Sequence, residues 1–350
     1  MNIVDININI HQYMSNRTKR HIDTSNNITI WIQLKKNNVN SKNTKIVNKY
    51  LKFLNQKNMQ IITKCIEQKI NVIPILYQLN NDDIKLLIEK SLKCANIQML
   101  RILQNYVIEL IDNLTLIKYM TNSCVHGYIN IVKYLHKKIK LTKRNFQSNN
   151  NFACQWVCYH GHINVVKYLY QKIGLTKEDF QSKNNYACRM ACKYGHIFVV
   201  KYLHKKIGLT KEDFQSDDNY ACQLACENGH LNVVKYLYQE IGLTKQDFQS
   251  GYNHACRWAC VNGYVNIVKY LHQKIGLAKE DFRSDNNCAC KWACINGHVD
   301  IVKYLYKEIK LTRQDFQSDN NHAYVMAIAN KHNPVIEYLL KEINVLFKIP

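Results

Sequence analysis

The sequence predicts an all-α solenoid of stacked helical hairpins, and three observations carry that prediction. One phrase, ACQLACENGHLNVVKYL at 221–237, returns every 34 residues, and Ala153, Ala187, Ala221, Ala255 and Ala289 all open it. Gly127, Gly161, Gly195, Gly229, Gly263 and Gly297 stand in its middle. On either side of that glycine, apolar residues recur at helical spacing. A fixed period of this length marks an array in which each unit buries its apolar flank against the next.

Residues 219–252 serve as the type unit. Asp218 or Asn219 is placed to cap a first helix, on which Ala221, Cys222, Ala225 and Cys226 share one face. Those side chains are small, so a neighbouring helix can come close. Gly229 falls just past the helix end, where a left-handed residue costs glycine little. Leu231, Val233, Val234, Leu237 and Ile241 form the stripe of a second helix, and Gly242 closes it. Ten of the 11 glycines occupy these two positions, while Lys140 and Lys310 replace the second in two units, so that stop is preferred but not required. In the connector, Thr244 and Asp247 are spaced as a capping pair, which predicts one turn of helix. Phe146, Phe180, Phe214, Phe248, Phe282 and Phe316 supply one large aromatic per connector to pin it to the stack.

The phrase Ala225-Cys226-Glu227-Asn228-Gly229-His230 followed by Val233-Val234-Lys235-Tyr236-Leu237 resembles the ankyrin repeat. The resemblance covers roughly 117–350. It departs at Tyr220-Ala221-Cys222-Gln223 and at the Ile-Gly-Leu-Thr-Lys connector, which leaves open whether the connector forms the family's β-hairpin finger or a short helical turn. The Asn-Asn-Tyr-Ala-Cys wording looks like the ankyrin families of giant DNA viruses such as mimivirus, which implies a viral protein engaging host factors in the host cytoplasm. Tetratricopeptide arrays have a similar period but would need Trp-x-x-Leu-Gly and a late proline. Helical-hairpin RNA-reading repeats do not account for the Gly-His between helices.

Residues 1–57 form a basic segment, with ten Lys/Arg against two Asp. Val4, Ile6, Ile8 and Ile10, and again Ile28, Ile30, Ile32 and Leu34, alternate like short strands, so this small segment is the β-containing candidate. No signal peptide opens the chain, and no stretch approaches the roughly 20 apolar residues of a membrane span. Residues 58–116 read as two degenerate repeats forming an N-terminal cap. Cys65–Leu76 aligns on Cys158–Leu169, with Pro74 shortening its helix, and Cys94-Ala95-Asn96 precedes the stripe Ile97, Leu100, Leu103. Six regular units run over 117–320. Residues 321–350 form a C-terminal capping unit, in which Pro334 suits the first turn of the last helix.

The cysteine pairs Cys154/Cys158, Cys188/Cys192, Cys222/Cys226, Cys256/Cys260 and Cys290/Cys294 raise a metal reading. Zinc sites gather their ligands at one locus instead of spreading one pair over five units, so these read as small buried hydrophobes. Disulfides are not expected, since each pair lies on one helix. His162, His196, His230 and His298 follow the mid-unit glycine with Tyr128 and Tyr264 in the same slot, which points to steadying a turn, not to catalysis. No phosphate loop, nucleophile elbow or paired-carboxylate motif is present, and no cofactor is implied, so a non-enzyme is expected.

The formal charge of +22 rests on 40 Lys against 8 Arg. With abundant Asn, Ile and Tyr, it fits A/T-rich codons better than a nucleic-acid partner. Comparison of the units picks out positions that drift: Tyr159, His160, Lys193, Tyr194, Glu227, Asn228, Val261, Asn262, Ile295 and Asn296 before the glycine, and Tyr252 at a connector tip. In ankyrin repeats such positions line the concave groove where proteins dock, with Tyr159, Tyr194, Tyr252, Val261 and Ile295 as anchors. Neutral drift on a solvated face is the competing reading. Lys133, Lys167, Lys201, Lys235, Lys269 and Lys303 form a basic ridge on the outer face, which reads as a solubility device more than a phosphate track. The expected partner is therefore a protein and not a membrane, and the chain a monomer. A nucleic acid bound through the basic surface is the alternative.

Overall fold

A computed structural model describes residues 81–345, and its elements there are helices with no strand among them. The strand-like stretches at 4–10 and 28–34 and the helix containing Pro74 lie outside the described residues. Residues before and after 110/111 fall in two compact units. In the first, α1 (Asn81–Lys93), α2 (Ile97–Ile102) and α3 (Gln104–Leu110) bury Leu87, Ile88, Leu100, Leu103 and Val107. Left-handed Ala95 ends α1, and Asn96 caps α2 by accepting from the Met99 N–H at 3.1 Å.

The second unit is a row of hairpins. Its first helices are α4 (Asn113–Val125), α7 (Ser148–Tyr159), α9 (Lys177–Lys193), α11 (Lys211–Glu227), α13 (Lys245–Val261), α15 (Lys279–Ile295) and α18 (Ser318–Ala329). Each is followed by a second helix: α5 (Ile129–Lys137), α8 (Ile163–Tyr168), α10 (Ile197–Tyr202), α12 (Leu231–Gln239), α14 (Val265–Tyr270), α16 (Val299–Lys307) and α19 (Asn333–Lys341). Helices α8, α10 and α14 finish in a π-helical turn. The short helices α6 (Lys143–Phe146) and α17 (Arg313–Phe316) stand alone as connectors, while the remaining connectors run into the first helices. Both glycine positions are left-handed, and Lys140 and Lys310 adopt φ of 62° at the second. Pro334 stands in the first turn of α19.

The connector is one helical turn, not a β-finger. Thr244 and Asp247 cap it reciprocally, with the Thr244 N–H donating to Asp247 Oδ2 at 2.6 Å. All six connector phenylalanines are fully buried. After this turn come three consecutive left-handed residues, for example Asp217, Asp218 and Asn219 with φ between 55° and 61°. This corrects the expected cap. Neither Asp218 nor Asn219 caps the first helix through its side chain; both shape a left-handed turn, and Asn219 Oδ1 is buried with no hydrogen-bond partner among the described residues. The Cys222 thiol instead donates to the Asn219 carbonyl at 3.2 Å.

Four ladders tie each hairpin to the next. First, Asp213 Oδ1 accepts from Gln181 of the preceding unit at 2.6 Å, and Lys177 Nζ sits 3.2 Å from Asp213 Oδ2. Burial alone would raise the Asp213 pKa, but the Thr210 N–H, Gln181 and Lys177 outweigh it and hold the carboxyl below its usual range. Arg283 replaces the glutamine in one unit and grips Asp315 through Nε and Nη2, both at 2.9 Å.

The second ladder is the Gly-His step. His196 lies flat over Gly161 of the preceding unit, and a Cβ there would meet the ring at 2.4 Å. Its Nε2–H donates to the Tyr159 carbonyl at 2.9 Å. His162 and His298 repeat the bond to Val125 and Val261. This glycine is thus required twice, by its φ and by its neighbour's ring. The glycine after the second helix, such as Gly208, has nothing within 4 Å of a notional Cβ, which is why lysine is accepted there.

The third ladder is the cysteines. Cys188, Cys222, Cys256 and Cys290 each donate to the carbonyl of the connector aspartate that leads into the next unit's first helix, at 3.4–3.5 Å. The fourth is aromatic. Lys133, Lys167, Lys201, Lys235, Lys269 and Lys303 each hold Nζ 5.5–5.9 Å above a tyrosine ring of the following unit.

Candidate functional site

The first helices share a face on which rows of equivalent side chains run along the array. One such row holds Trp156, Met190, Leu224, Trp258, Trp292 and Met326. Met190 and Leu224 are buried, but Trp258 is 38% and Trp292 44% exposed. Val325 and Ile328 extend the exposed apolar surface at that end.

At the other end the rings gather. Phe152 stacks on Trp156 at 5.1 Å, Trp156 meets Tyr159 at 4.8 Å and His160 at 5.7 Å, and Tyr159 meets Tyr194 at 4.4 Å. The two tyrosine hydroxyls share a hydrogen bond of 2.7 Å. Lys193 Nζ lies 5.6 Å from the Tyr194 ring, and Arg189 stands between the Tyr186 and Tyr220 rings at 6.0 and 5.7 Å. Between the clusters, His254 Nε2 lies 3.5 Å from Glu227 Oε2. Burial, then Arg257, lowers the His254 pKa to about 4, and burial raises that of Glu227. Near neutral pH this is an uncharged imidazole beside a carboxylate, not an ion pair.

The expected site residues divide. Tyr159, His160, Lys193, Tyr194, Glu227 and Asn228 lie along this face, the first four in or beside the aromatic cluster. Val261 and Ile295 do not serve as exposed anchors: at 9% and 5% exposure they turn into the stack. Asn262 and Asn296 are exposed, but their Nδ2 groups donate to the Glu227 and Val261 carbonyls of the preceding unit at 2.7 and 2.8 Å. Asn228 donates to its own helix at Leu224. Tyr252 stands apart on a connector tip, 84% exposed.

Drift at the tips has an internal explanation. Arg189 pairs with Asp217, Arg257 with Asp285 and Lys291 with Asp319. Where the helix residue is Gln155 or Gln223, the next tip carries Lys183 or Gly251, and the glutamine bonds Ser182 or Ser250 instead. The tips therefore follow the preceding helix. What inter-unit comparison missed is the tryptophan row, which changes identity but stays large and apolar.

Among the described residues no group of three or more His, Cys, Asp or Glu side chains could hold a metal ion, and every cysteine is a free thiol. Burial pushes the Cys124 thiol up to about 12 and the paired cysteines well above their usual range, so thiolate chemistry is suppressed.

The family model for ankyrin repeats, built as three copies, matches at 120–213, 175–247, 223–315 and 257–348, which together cover 120–348 without a break. The chain belongs to the ankyrin repeat family. Solved structures that match this ankyrin array include an ankyrin repeat family protein from Legionella pneumophila, with 14% identity, 83% of this chain and 88% of that chain covered, and a TM-score of 0.40. The comparison with curated proteins returns no match. In this ankyrin chain a helical turn and a left-handed triplet stand where the finger was in question. No helix among the described residues is long and apolar enough to cross a membrane.

Proposed function

We propose that this ankyrin array is a non-catalytic scaffold that binds a protein through the exposed face of its first helices. The observation that carries the reading is the pair of aromatic clusters on that face, half-buried Trp156 and Tyr159 with exposed Tyr194 at one end and exposed Trp258 and Trp292 at the other. A face kept only for solubility has no use for tryptophan, whereas rigid aromatic side chains dominate binding energy at protein interfaces. A monomeric array with 321–350 as its C-terminal capping unit belongs to the same proposal. So does a host-cell cytoplasmic setting, on the strength of the giant-virus wording of the repeats.

The test is crosslinking mass spectrometry on cells expressing the full chain, alongside capture with a Trp258→Ala/Trp292→Ala variant. Crosslinks that bracket the first-helix face, and a partner lost from the variant at unchanged melting temperature, are the expected result. A partner retained in full by that variant and by a Trp156→Ala/Tyr159→Ala variant overturns the assignment.

A further inference from the structure

The second-helix lysines take no part in the proposed interface. Across α5, α8 and α10, the exposed second-helix positions carry Lys133, Lys137, Lys138, Lys167, Lys172, Lys201, Lys205 and Lys206 and no carboxylate. Acidic residues enter the equivalent positions only later, as Glu240, Asp300, Glu308, Glu337 and Glu342. Of the eight lysines, Lys205 alone is in an ion pair among the described residues, with Glu240 at 3.1 Å. Lys133, Lys137, Lys167 and Lys172 line one open groove between α5 and α8, with the amides of Asn164 and Gln171 between them. The cation–π contacts of Lys133, Lys167 and Lys201 hold those amines in fixed places on the face.

A second, independent feature lies on the same three helices. The second position of the second helix is Asn130, Asn164, Asn232, Asn266 or Asp300 in the other regular units, but Phe198 in α10. That phenyl group is 74% exposed. It sits one residue before the buried Val199 and three before Lys201, in the unit that bounds the acid-free region.

We propose that the second-helix face of α5, α8 and α10 docks on an anionic lipid bilayer, the lysines meeting headgroup charge and Phe198 entering the interface. Unpaired basic charge and a single protruding aromatic are the two elements that peripheral contact with an anionic leaflet uses together. A duplex nucleic acid would use the lysines and leave Phe198 idle. A single strand would need a series of stacking rings, and this face exposes one. A compact polyphosphate would fill the groove without touching Phe198. The surface is separate from the first-helix face, so either assignment can fail without the other.

The array supplies its own conservative variants. Phe198→Asn, Lys137→Gln, Lys172→Glu and Lys206→Glu each install a residue that stands at the equivalent position of another unit, so the fold tolerates them. The experiment is co-sedimentation of the full chain with vesicles of phosphatidylcholine alone and with about 30% phosphatidylserine added, at physiological salt. Residues 1–57 are themselves basic, so the deciding comparison is between the natural chain and its variants. Expected are retention on the serine-containing vesicles only, about a tenfold weaker partition for Phe198→Asn, and a larger loss for Lys172→Glu/Lys206→Glu. Retention unchanged by Phe198→Asn, or equal on both vesicle types, overturns the proposal. So does binding to duplex DNA, abolished by the charge variants, in a chain that ignores vesicles.

Discussion

At the scale of single residues, the left-handed triplet is the most demanding feature. Left-handed backbone strains most L-residues by about 1–2 kcal/mol each, with Gly, Asn and Asp the exceptions. Sixteen of the eighteen triplet positions are those three types; Lys183 and Tyr252 are the two that are not. Tyr252 is exposed, so no burial offsets its strain. Tyr252→Asn is expected to stabilise the array by about 1 kcal/mol, read as a higher denaturant midpoint at constant m-value. The asparagine that composition alone assigns to codon usage thus has a conformational use. The two glycine positions differ just as sharply. Gly161→Ala drives a methyl group into the His196 ring and is expected to cost about 3 kcal/mol or more, whereas Gly208→Ala meets only backbone strain, about 1 kcal/mol. Equal losses in paired denaturation curves would contradict the crowding argument.

At the scale of the element, the second helices alternate. Position 136 and its equivalents read His136, Tyr170, His204, Tyr238, His272, Tyr306. Each histidine places Nδ1 at 2.9 Å from the hydroxyl of the next unit's tyrosine, Tyr168, Tyr236 or Tyr304. Each tyrosine meets its neighbour edge-on at 6.3–6.4 Å instead, and the buried hydroxyls of Tyr270 and Tyr338 find no hydrogen-bond partner among the described residues. Tyr238→His is expected to give Tyr270 a partner and to raise stability by about 1 kcal/mol, measured by the same denaturation. The true period of this face is therefore two units. An alternation of two aromatic residues leaves the apolar pattern intact, so the 34-residue reading passes over it.

At the scale of the whole molecule, histidines that are partly withdrawn from water make stability depend on pH. Burial lowers the pKa of His136, His160, His196, His204, His230 and His254. A lowered histidine means that the unfolded chain takes up protons first, so stability holds above about pH 6.5 and falls as acid is added. His254, at about 4, accounts for about 2 kcal/mol of loss between pH 7.5 and 5. Glu227 opposes this, because its raised pKa lets protonation favour the fold near the carboxylate range. Denaturation midpoints at pH 7.5 and 5 should show the loss, and His254→Tyr, tyrosine being the residue at 186 and 220, should reduce it. Much of the architecture was legible because glycine, the small Ala/Cys face and the Thr-Asp box each have one dominant use. The left-handed triplet was not, since Asn and Asp serve equally as helix caps, and a lone Gly251 among six tips is a faint signal. The tryptophans escaped because a row of Trp, Met and Leu reads as core. Val261 and Ile295 misled because their row also holds Tyr159, Lys193 and Glu227, yet the short aliphatic members fold inward. The Gly-His step has one more consequence. Every hairpin between the first and the last carries half of each joint, a ring for the glycine before it and a glycine for the ring after it. Two units cut at the same point of the period present identical ends. Recombination between such copies in the gene lengthens or shortens the array without inventing an interface, which makes the number of units the property of this molecule that evolution can alter most freely.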